Sequence, residues 1–372
     1  MRIGVVGLGR VGSKVVYMLS ERRDFDITGF DIDPSKKNIV SRYDNVSFVE
    51  IKGIEDLRSY INSLDLLISA LPSREGYRLA ELASRVCIDL VDVSFISEDP
   101  YALDKAFREC GRIYVPDAGF APGYSNIVAG YIYNKLFKDS LEKLEIYVGG
   151  IPRENIPPLG YVVTWSAEDL LEEYVRPARA IINKSLVNID PLEHIGVIEI
   201  PGIGLFEWFY SDGLRTMLRN IRSETMFEAT LRWPRHLEKI KLLRDLGFLD
   251  REKIRFNNSE EEIIRLTARI LEKKLRKRIS DMAILYVRGT RDLDKKYEEL
   301  VVMYGEPEDH ATPRFTAIIT YSVAELVLSG KLRERGVVAP ENLWEYIDYF
   351  RENLRRYQPS DKHIYIRTSE SF

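Results

Sequence analysis

Cysteine is scarce: among 372 residues only Cys87 and Cys110 carry a thiol. Each stands alone, with no second thiol or histidine at metal-ligand spacing, so neither a disulfide framework nor a zinc site is expected. Long apolar runs are missing too, and none approaches the roughly 20 residues that a membrane-spanning helix needs. Net charge is nearly absent: 54 Lys and Arg stand against 58 Asp and Glu, for a net charge of −4. That balance gives no electrostatic case for nucleic acid or an anionic membrane as the main partner. The N-terminus, MRIGVVGLG, shows no basic leader and no cleavage site. The expectation is a reduced, cytoplasmic protein without nucleic-acid or membrane partners. A single glutamine, Gln358, amid abundant Glu, Lys, Arg, Tyr and Ile suits a thermophilic source.

What is present is alternation. Short apolar runs over 2–7, 27–31, 47–51, 65–71, 87–93 and 112–115 are separated by amphipathic stretches such as 11–22 and 74–85. Strands that are apolar on both faces, with helices between them, predict a parallel sheet in an α/β fold. Beyond Asp117 the texture changes. A helix is expected over 125–137, a strand over 144–149, and short strands with glycine turns over 187–209. A charged helix over 260–278, a strand pair over 283–288 and 300–304, and an apolar helix over 316–329 complete a mixed α/β region. The reading is a Rossmann domain over 1–118, completed by 313–372, and a substrate-binding and dimerisation domain over 119–312.

Gly7-Leu8-Gly9-Arg10-Val11-Gly12 follows the first strand and opens the first helix. The first glycine permits a tight turn, the second lets the backbone approach a pyrophosphate, and the third allows close helix–strand packing. The helix N-terminus adds free N–H groups and a positive dipole end. The second strand ends at Asp31, 19 residues beyond Gly12, at the spacing of the acid that binds the adenosine ribose. A carboxylate there accepts both ribose hydroxyls and repels a 2′-phosphate, so NAD is expected over NADP. Lys36 and Lys37 lie just beyond as opposing cations or ordinary surface residues. A glycine turn of this kind also serves S-adenosylmethionine, or no ligand. Ala70, Leu71 and Pro72 end the fourth strand, and Val93 and Ser94 end the fifth. Such carboxyl ends border the ligand crevice.

Further motifs follow in order: Val91-Asp92-Val93-Ser94-Phe95, Asp117-Ala118-Gly119-Phe120-Ala121-Pro122-Gly123, and Pro157-Pro158-Leu159-Gly160-Tyr161 leading to Thr164-Trp165-Ser166. Then come Glu173-Tyr174-Val175-Arg176-Pro177-Ala178-Arg179, Ser211-Asp212-Gly213-Leu214-Arg215, and Leu231-Arg232-Trp233-Pro234 with His236. Across residues 1–340 the chain resembles the saccharopine dehydrogenase-like superfamily, and within it the lysine 6-dehydrogenase branch. It departs from that pattern at Val162, where relatives commonly carry lysine, and at Arg314-Phe315, where they carry a Thr-Gly pair.

The resemblance implies NAD-dependent oxidation of the ε-amine carbon of L-lysine by a homodimer, giving 2-aminoadipate 6-semialdehyde, which cyclises to piperideine-6-carboxylate, and ammonia. The alternatives are a saccharopine reductase, a carboxynorspermidine-type dehydrogenase, or a catalytically silent NAD-binding homologue. An ammonium has no lone pair to drive hydride loss, so a base must deprotonate the amine. Asp117 is the first candidate, with turn capping its alternative role; Asp92 is the second. Gly119 closes the turn beside the cofactor. An arginine suits the carboxylate of the amino-acid head. Arg215 and Arg232 lead, followed by Arg176, whereas Arg179 is expected to pair with the acidic run over 168–173. His236 is a candidate proton shuttle, and Tyr161, Trp165 and Trp208 are candidate walls for the apolar stem. No metal is expected.

Overall fold

The computed structural model describes residues 1–138, 141–163, 167–256, 259–292 and 295–371. The chain forms two compact units, Met1–Tyr131 with Pro313–Pro359, and Ile132–Thr312 with Ser360–Phe372. No helix among the described residues is long and apolar enough to cross a membrane.

In the first unit β1 (Arg2–Val6), β2 (Asp26–Asp31), β3 (Val46–Glu50), β4 (Leu66–Ser69), β5 (Asp89–Asp92) and β6 (Ile113–Val115) form a parallel sheet. The apolar runs are buried on both faces, as Ile3, Val5, Ile27, Leu67, Ile68 and Val91 show. Parallel neighbours require crossovers, which the amphipathic helices Gly12–Ser20 and Ser73–Val86 supply with Val15, Leu19, Leu79 and Ala83 turned inward. The spatial order is β6-β5-β4-β1-β2-β3. The chain reverses direction across the sheet between β1 and β4, and the crevice past their carboxyl ends is where such sheets bind ligands.

The second unit is built on a mixed sheet. Its strands are β7 (Leu141–Pro152), β8 (Ala178–Ile182), β9 (Ser185–Ile189), β10 (Ile195–Ile200), β11 (Gly204–Ser211) and β12 (Ser223–Arg232). A hairpin of β13 (Lys253–Phe256) and β14 (Ser259–Glu262) stands apart, and β15 (Asp281–Arg291) and β16 (Lys295–Tyr304) return to the sheet. The order is β10-β11-β12-β7-β15-β16, with β8 and β9 branching from β12. Among the described residues only β7 and β12 run parallel; the other neighbours are antiparallel, with Ile284 opposite Val302 on the expected strand pair. The helix expected over 260–278 is shorter, Ile263–Leu275, because Glu260–Glu262 pair as strand.

Two late strands redraw the expected boundaries. β17 (Gly336–Val337) extends the first sheet beside β6, whereas β18 (Ile364–Ser371) pairs antiparallel with β16, so the tail after Pro359 belongs to the second unit. Residues 119–131, expected with the second domain, join the first. Gly130 explains why: a Cβ there would lie 2.0 Å from the Glu341 carbonyl oxygen, so only glycine allows this contact. Asn126 Nδ2 also donates to Glu341 Oε2 at 3.2 Å.

The expectation of two separate thiols is overturned. Cys87 and Cys110 form a disulfide, with Cα atoms 5.2 Å apart. Each cysteine ends a helix that feeds one of the neighbours β5 and β6, so strand pairing brings together thiols that sequence spacing did not relate. A cross-link over a 23-residue separation stabilises by about 3 kcal/mol through the unfolded state. Cys87→Ser should therefore lower the thermal midpoint in non-reducing buffer, and a dithiol reductant should erase the difference. Equal midpoints without reductant would show that the pair does not staple the protein.

Candidate active site

The glycine turn after β1 is built for close approach. Gly7 has φ +90°, and a Cβ on it would lie 2.5 Å from the Ala70 carbonyl oxygen; one on Gly12 would lie 1.9 Å from the Gly7 oxygen. Gly9 differs: its Cβ would meet nothing within 4 Å. Gly7 and Gly12 therefore hold the turn together, while Gly9 keeps the outer surface bare where a pyrophosphate would lie. Arg10 is exposed beside it, and Val11 leads into a helix whose first turn carries no acid to compete with phosphate.

At the end of β2, Asp31 Oδ2 accepts from the Leu8 N–H at 2.6 Å and Oδ1 from the Asp33 N–H at 2.9 Å. These bonds fix a half-buried carboxylate beside the glycine turn, with lone pairs left for ribose hydroxyls. Lys36 lies 3.8 Å from Asp33, so its charge already has a carboxylate partner. Ala70 and Leu71 are half-buried and Pro72 is exposed after β4. The bare turn, the helix end and the fixed acid fit a dinucleotide. Gly9→Ala should leave the thermal midpoint unchanged and weaken dinucleotide binding by about tenfold or more. Gly12→Ala should lower the midpoint as well. A Gly9→Ala protein titrating like the wild type would remove the turn from the binding surface.

Past β5 and β6 lies a buried polar group in the same unit. Asp92 is fully buried; its Oδ1 accepts from the Ser94 N–H at 2.8 Å and its Oδ2 from the Tyr114 hydroxyl at 3.3 Å. Ser94 Oγ lies 3.1 Å from Ser69 Oγ, and it is seated on Gly76, where a Cβ would fall 2.2 Å from it. Burial pushes the Asp92 carboxyl up to about 6, with the Asp117 charge acting in the same direction and the bonds to Ser94 and Ser69 against it. Val93 is half-buried and donates its N–H to the Ser69 carbonyl at 3.1 Å. Asp117 is buried in the left-handed region at φ 51°, a strained conformation for a non-glycine residue and a frequent one at functional sites. Gly119 follows, packed against Thr316, while the Thr320 hydroxyl donates to the Ala118 carbonyl at 2.9 Å. Ser69, Gly76 and Tyr114 carry no signal in the sequence, where they read as ordinary residues of buried strands and a helix.

The second unit collects a different set. Arg232, 2% exposed, donates from Nε to the Tyr174 hydroxyl at 2.9 Å, from Nη1 to the Leu231 carbonyl at 3.0 Å and from Nη2 to Glu173 Oε2 at 2.7 Å. Its guanidinium stacks 4.9 Å from the Tyr161 ring centroid. His236 Nδ1 lies 2.8 Å from the Leu159 carbonyl, an acceptor only, so Nδ1 carries the proton and Nε2 accepts from the Tyr174 hydroxyl at 2.8 Å. Burial, then the Arg232 charge, pulls its pKa down to about 3. Both nitrogens serve internal partners, an arrangement that locks a ring in place rather than shuttling protons, and Arg232 is likewise spent on the fold.

Arg179 pairs bidentately with Asp212, at 2.8 and 3.0 Å, not with the acidic run over 168–173. Arg215 is buried at φ 52° in the turn after β11, and Arg176 is half-buried. Trp208 stacks on Phe227 at 5.8 Å, above Gly196. Trp165 lies outside the described residues. Of the two departures from the family pattern, Val162 is buried. Arg314 donates to Gln358 Oε1 at 3.3 Å, and Phe315 packs 4.5 Å from the Phe120 ring. No cluster among the described residues could hold a metal ion.

Comparison with known proteins gives the lineage. A profile of the saccharopine dehydrogenase NADP binding domain matches residues 3–115, and one of the saccharopine dehydrogenase C-terminal domain matches residues 119–358. The mitochondrial alpha-aminoadipic semialdehyde synthase of Rattus norvegicus is 27% identical over 275 residues, covering 68% of this chain and 29% of that protein. The chain thus spans less than a third of that relative's length. Saccharopine dehydrogenase [NADP(+), L-glutamate-forming] of Schizosaccharomyces pombe is 23% identical over 284 residues, covering 72% of this chain and 63% of that one. Among solved structures, apo saccharopine dehydrogenase (L-Glu forming) from Saccharomyces cerevisiae superposes with a TM-score of 0.81 at 18% identity, covering 99% of both chains, a likeness of fold. With both of its profiles matched in succession, the chain belongs to the saccharopine dehydrogenase family of oxidoreductases.

Proposed function

We propose that this chain oxidises the ε-amine carbon of L-lysine with NAD⁺ to an imine, which water hydrolyses to 2-aminoadipate 6-semialdehyde and ammonia. The observation that carries the cofactor choice is Asp31, whose two oxygens are pinned by the Leu8 and Asp33 N–H groups. A 2′-phosphate would meet that fixed charge, with Asp33 behind it. The substrate choice rests on the motifs of the lysine 6-dehydrogenase branch and on a relative named for the same semialdehyde.

When bound, the nicotinamide supplies the acceptor for a hydride. The chain must then provide a free amine, whose ordinary pKa is about 10.4, and a grip on the amino-acid head. Asp117 takes the amine proton in this reading. Asp92, pushed up to about 6 by burial, is the second candidate. An arginine fork suits the grip on the carboxylate.

The test is the appearance of reduced nicotinamide at alkaline pH with L-lysine, set against a panel of amines, with ammonia measured alongside. Asp117→Asn should cut turnover about 100-fold or more, the usual scale of general-base loss, and leave NAD⁺ affinity intact. Near-normal turnover would take Asp117 out of the mechanism. A second reading has its own support in the NADP named by the family profile and by the fission-yeast relative. In that reading the enzyme condenses a semialdehyde with an amino donor and reduces the imine. Silence with lysine, together with NADPH oxidation on those substrates, would establish it.

A further inference from the structure

Around the start of the helix Ala311–Leu328, three neighbouring side chains of the second unit present buried atoms with no hydrogen-bond partner among the described residues: Asp281 Oδ2, His310 Nδ1 and Thr312 Oγ1. Asp281 is 1% exposed. Its other oxygen caps the helix, accepting from the Ala311 N–H at 2.9 Å, and lies 3.6 Å from His310 Nδ1. Glycines make the arrangement possible: a Cβ on Gly305 would fall 2.0 Å from Asp281 Oδ1, and one on Gly150 would fall 2.6 Å from Thr312 Oγ1. An unmatched buried carboxylate oxygen is costly, and the Thr312 hydroxyl and His310 Nδ1 can also accept, so one shared donor would satisfy all three.

We infer that Asp281, His310 and Thr312 form a receptor for a primary ammonium group. The carboxylate oxygen can only accept, the hydroxyl has lone pairs to offer, and imidazole Nδ1 accepts when Nε2 carries the proton. Three acceptors meet the three N–H donors of R–NH₃⁺. The Asp281 charge favours a cation and repels an anion, while its helix-capping bond offsets the positive helix end. The inference deepens the proposed function and rests on it for the identity of the amine, which in an amino acid can be the α- or the distal ammonium.

Binding by calorimetry separates these sources and needs no turnover. The ligands are L-lysine, 6-aminohexanoate (distal amine only), norleucine (α-amine only), hexanoate (neither) and methylammonium as the minimal probe. Whichever amine-bearing ligands bind should lose about tenfold or more in affinity in Thr312→Val and further in Asp281→Asn, the scale of hydrogen bonds to a charged group. Hexanoate binding and NAD⁺ binding should not change. Thr312→Val is near-isosteric and serves if Asp281→Asn does not fold. Lysine turnover with equal amine affinity in wild type and variants would overturn the receptor and leave the lysine reading standing. Methylammonium binding lost in Thr312→Val, without lysine turnover, would uphold the receptor and sink the lysine reading. No amine binding at all would overturn the receptor.

Discussion

Between pH 7 and pH 4 the second unit should lose about 3 kcal/mol of stability through His236 alone. The folded-state pKa of this ring is pulled from 6.5 down to about 3 by burial and by Arg232. For a group depressed in this way, the stabilisation is complete above the unfolded pKa and is lost as pH falls toward the folded one. Below both values the loss approaches about 5 kcal/mol. In the first unit Asp92 acts with the opposite sign. Its pKa rises on folding from 3.8 to about 6, so its contribution is present in acid and disappears as pH rises through 6. At pH 4 it adds about 2 kcal/mol relative to pH 7. Acid should therefore part the two units: hydrogen exchange should open β7 and β12 at a pH where β1 and β4 stay protected. His236→Gln should cost about 1–2 kcal/mol at pH 7, because its amide meets Leu159 and Tyr174 less well, yet flatten the slope below pH 6.5. Acid profiles of wild type and variant running parallel would show that His236 is not the acid-sensitive group.

The first unit was largely legible because its strands are buried on both faces and its ligand turn is local. Residues 2–7 contain the strand, the tight turn and the first glycine, and the contact of Gly12 with the Gly7 carbonyl spans five residues. Asp31 was found by spacing, since one crossover helix of ordinary length separates it from Gly12. Its two backbone bonds could not be read, because they follow from how β2 ends against the turn. The α/β class and the family both hold, the latter through motifs spread along the chain rather than through any one of them.

What escaped the sequence depends on long-range pairing. The disulfide joins residues that neighbouring strands carry together, and nothing local to Cys87 or Cys110 announces it. The tail from Ile364 to Ser371 alternates weakly and became a strand only because β16 offered an edge. Arg232 and His236 stand out in the sequence as a charged residue and a rare one in a shared motif. That motif is an assembly: Tyr174 and Glu173 arrive from about sixty positions away to occupy the same donors a substrate would use. Charge type can be read from sequence, whereas the partner that claims it cannot. Asp281 and His310 are hidden for the same reason, since 29 positions separate them and no periodicity links them.

That distinction sets the expected outcome for Arg232→Met: about 3–5 kcal/mol lost from the second unit, the usual cost of breaking a buried ion pair from one side. Methionine can fill the stem's place, but it leaves the Leu231 carbonyl without its guanidinium donor and strips Tyr161 of its stacked cation. Glu173, with its side chain 26% exposed, can rehydrate, and Tyr174 still donates to His236, which keeps the loss near the lower figure. Arg232→Lys should rescue little. One ammonium cannot reach the Tyr174 hydroxyl, the Leu231 carbonyl and Glu173 together, as the planar fork does. Denaturant midpoints for both variants, alongside the KM for L-lysine at a temperature where each remains folded, separate structure from binding. A guanidinium spent on the fold gives a large drop in midpoint and a nearly constant KM. A stable Arg232→Met protein with a KM raised about 100-fold would return Arg232 to the substrate and leave the Tyr174 and Glu173 contacts as features of the ligand-free chain alone.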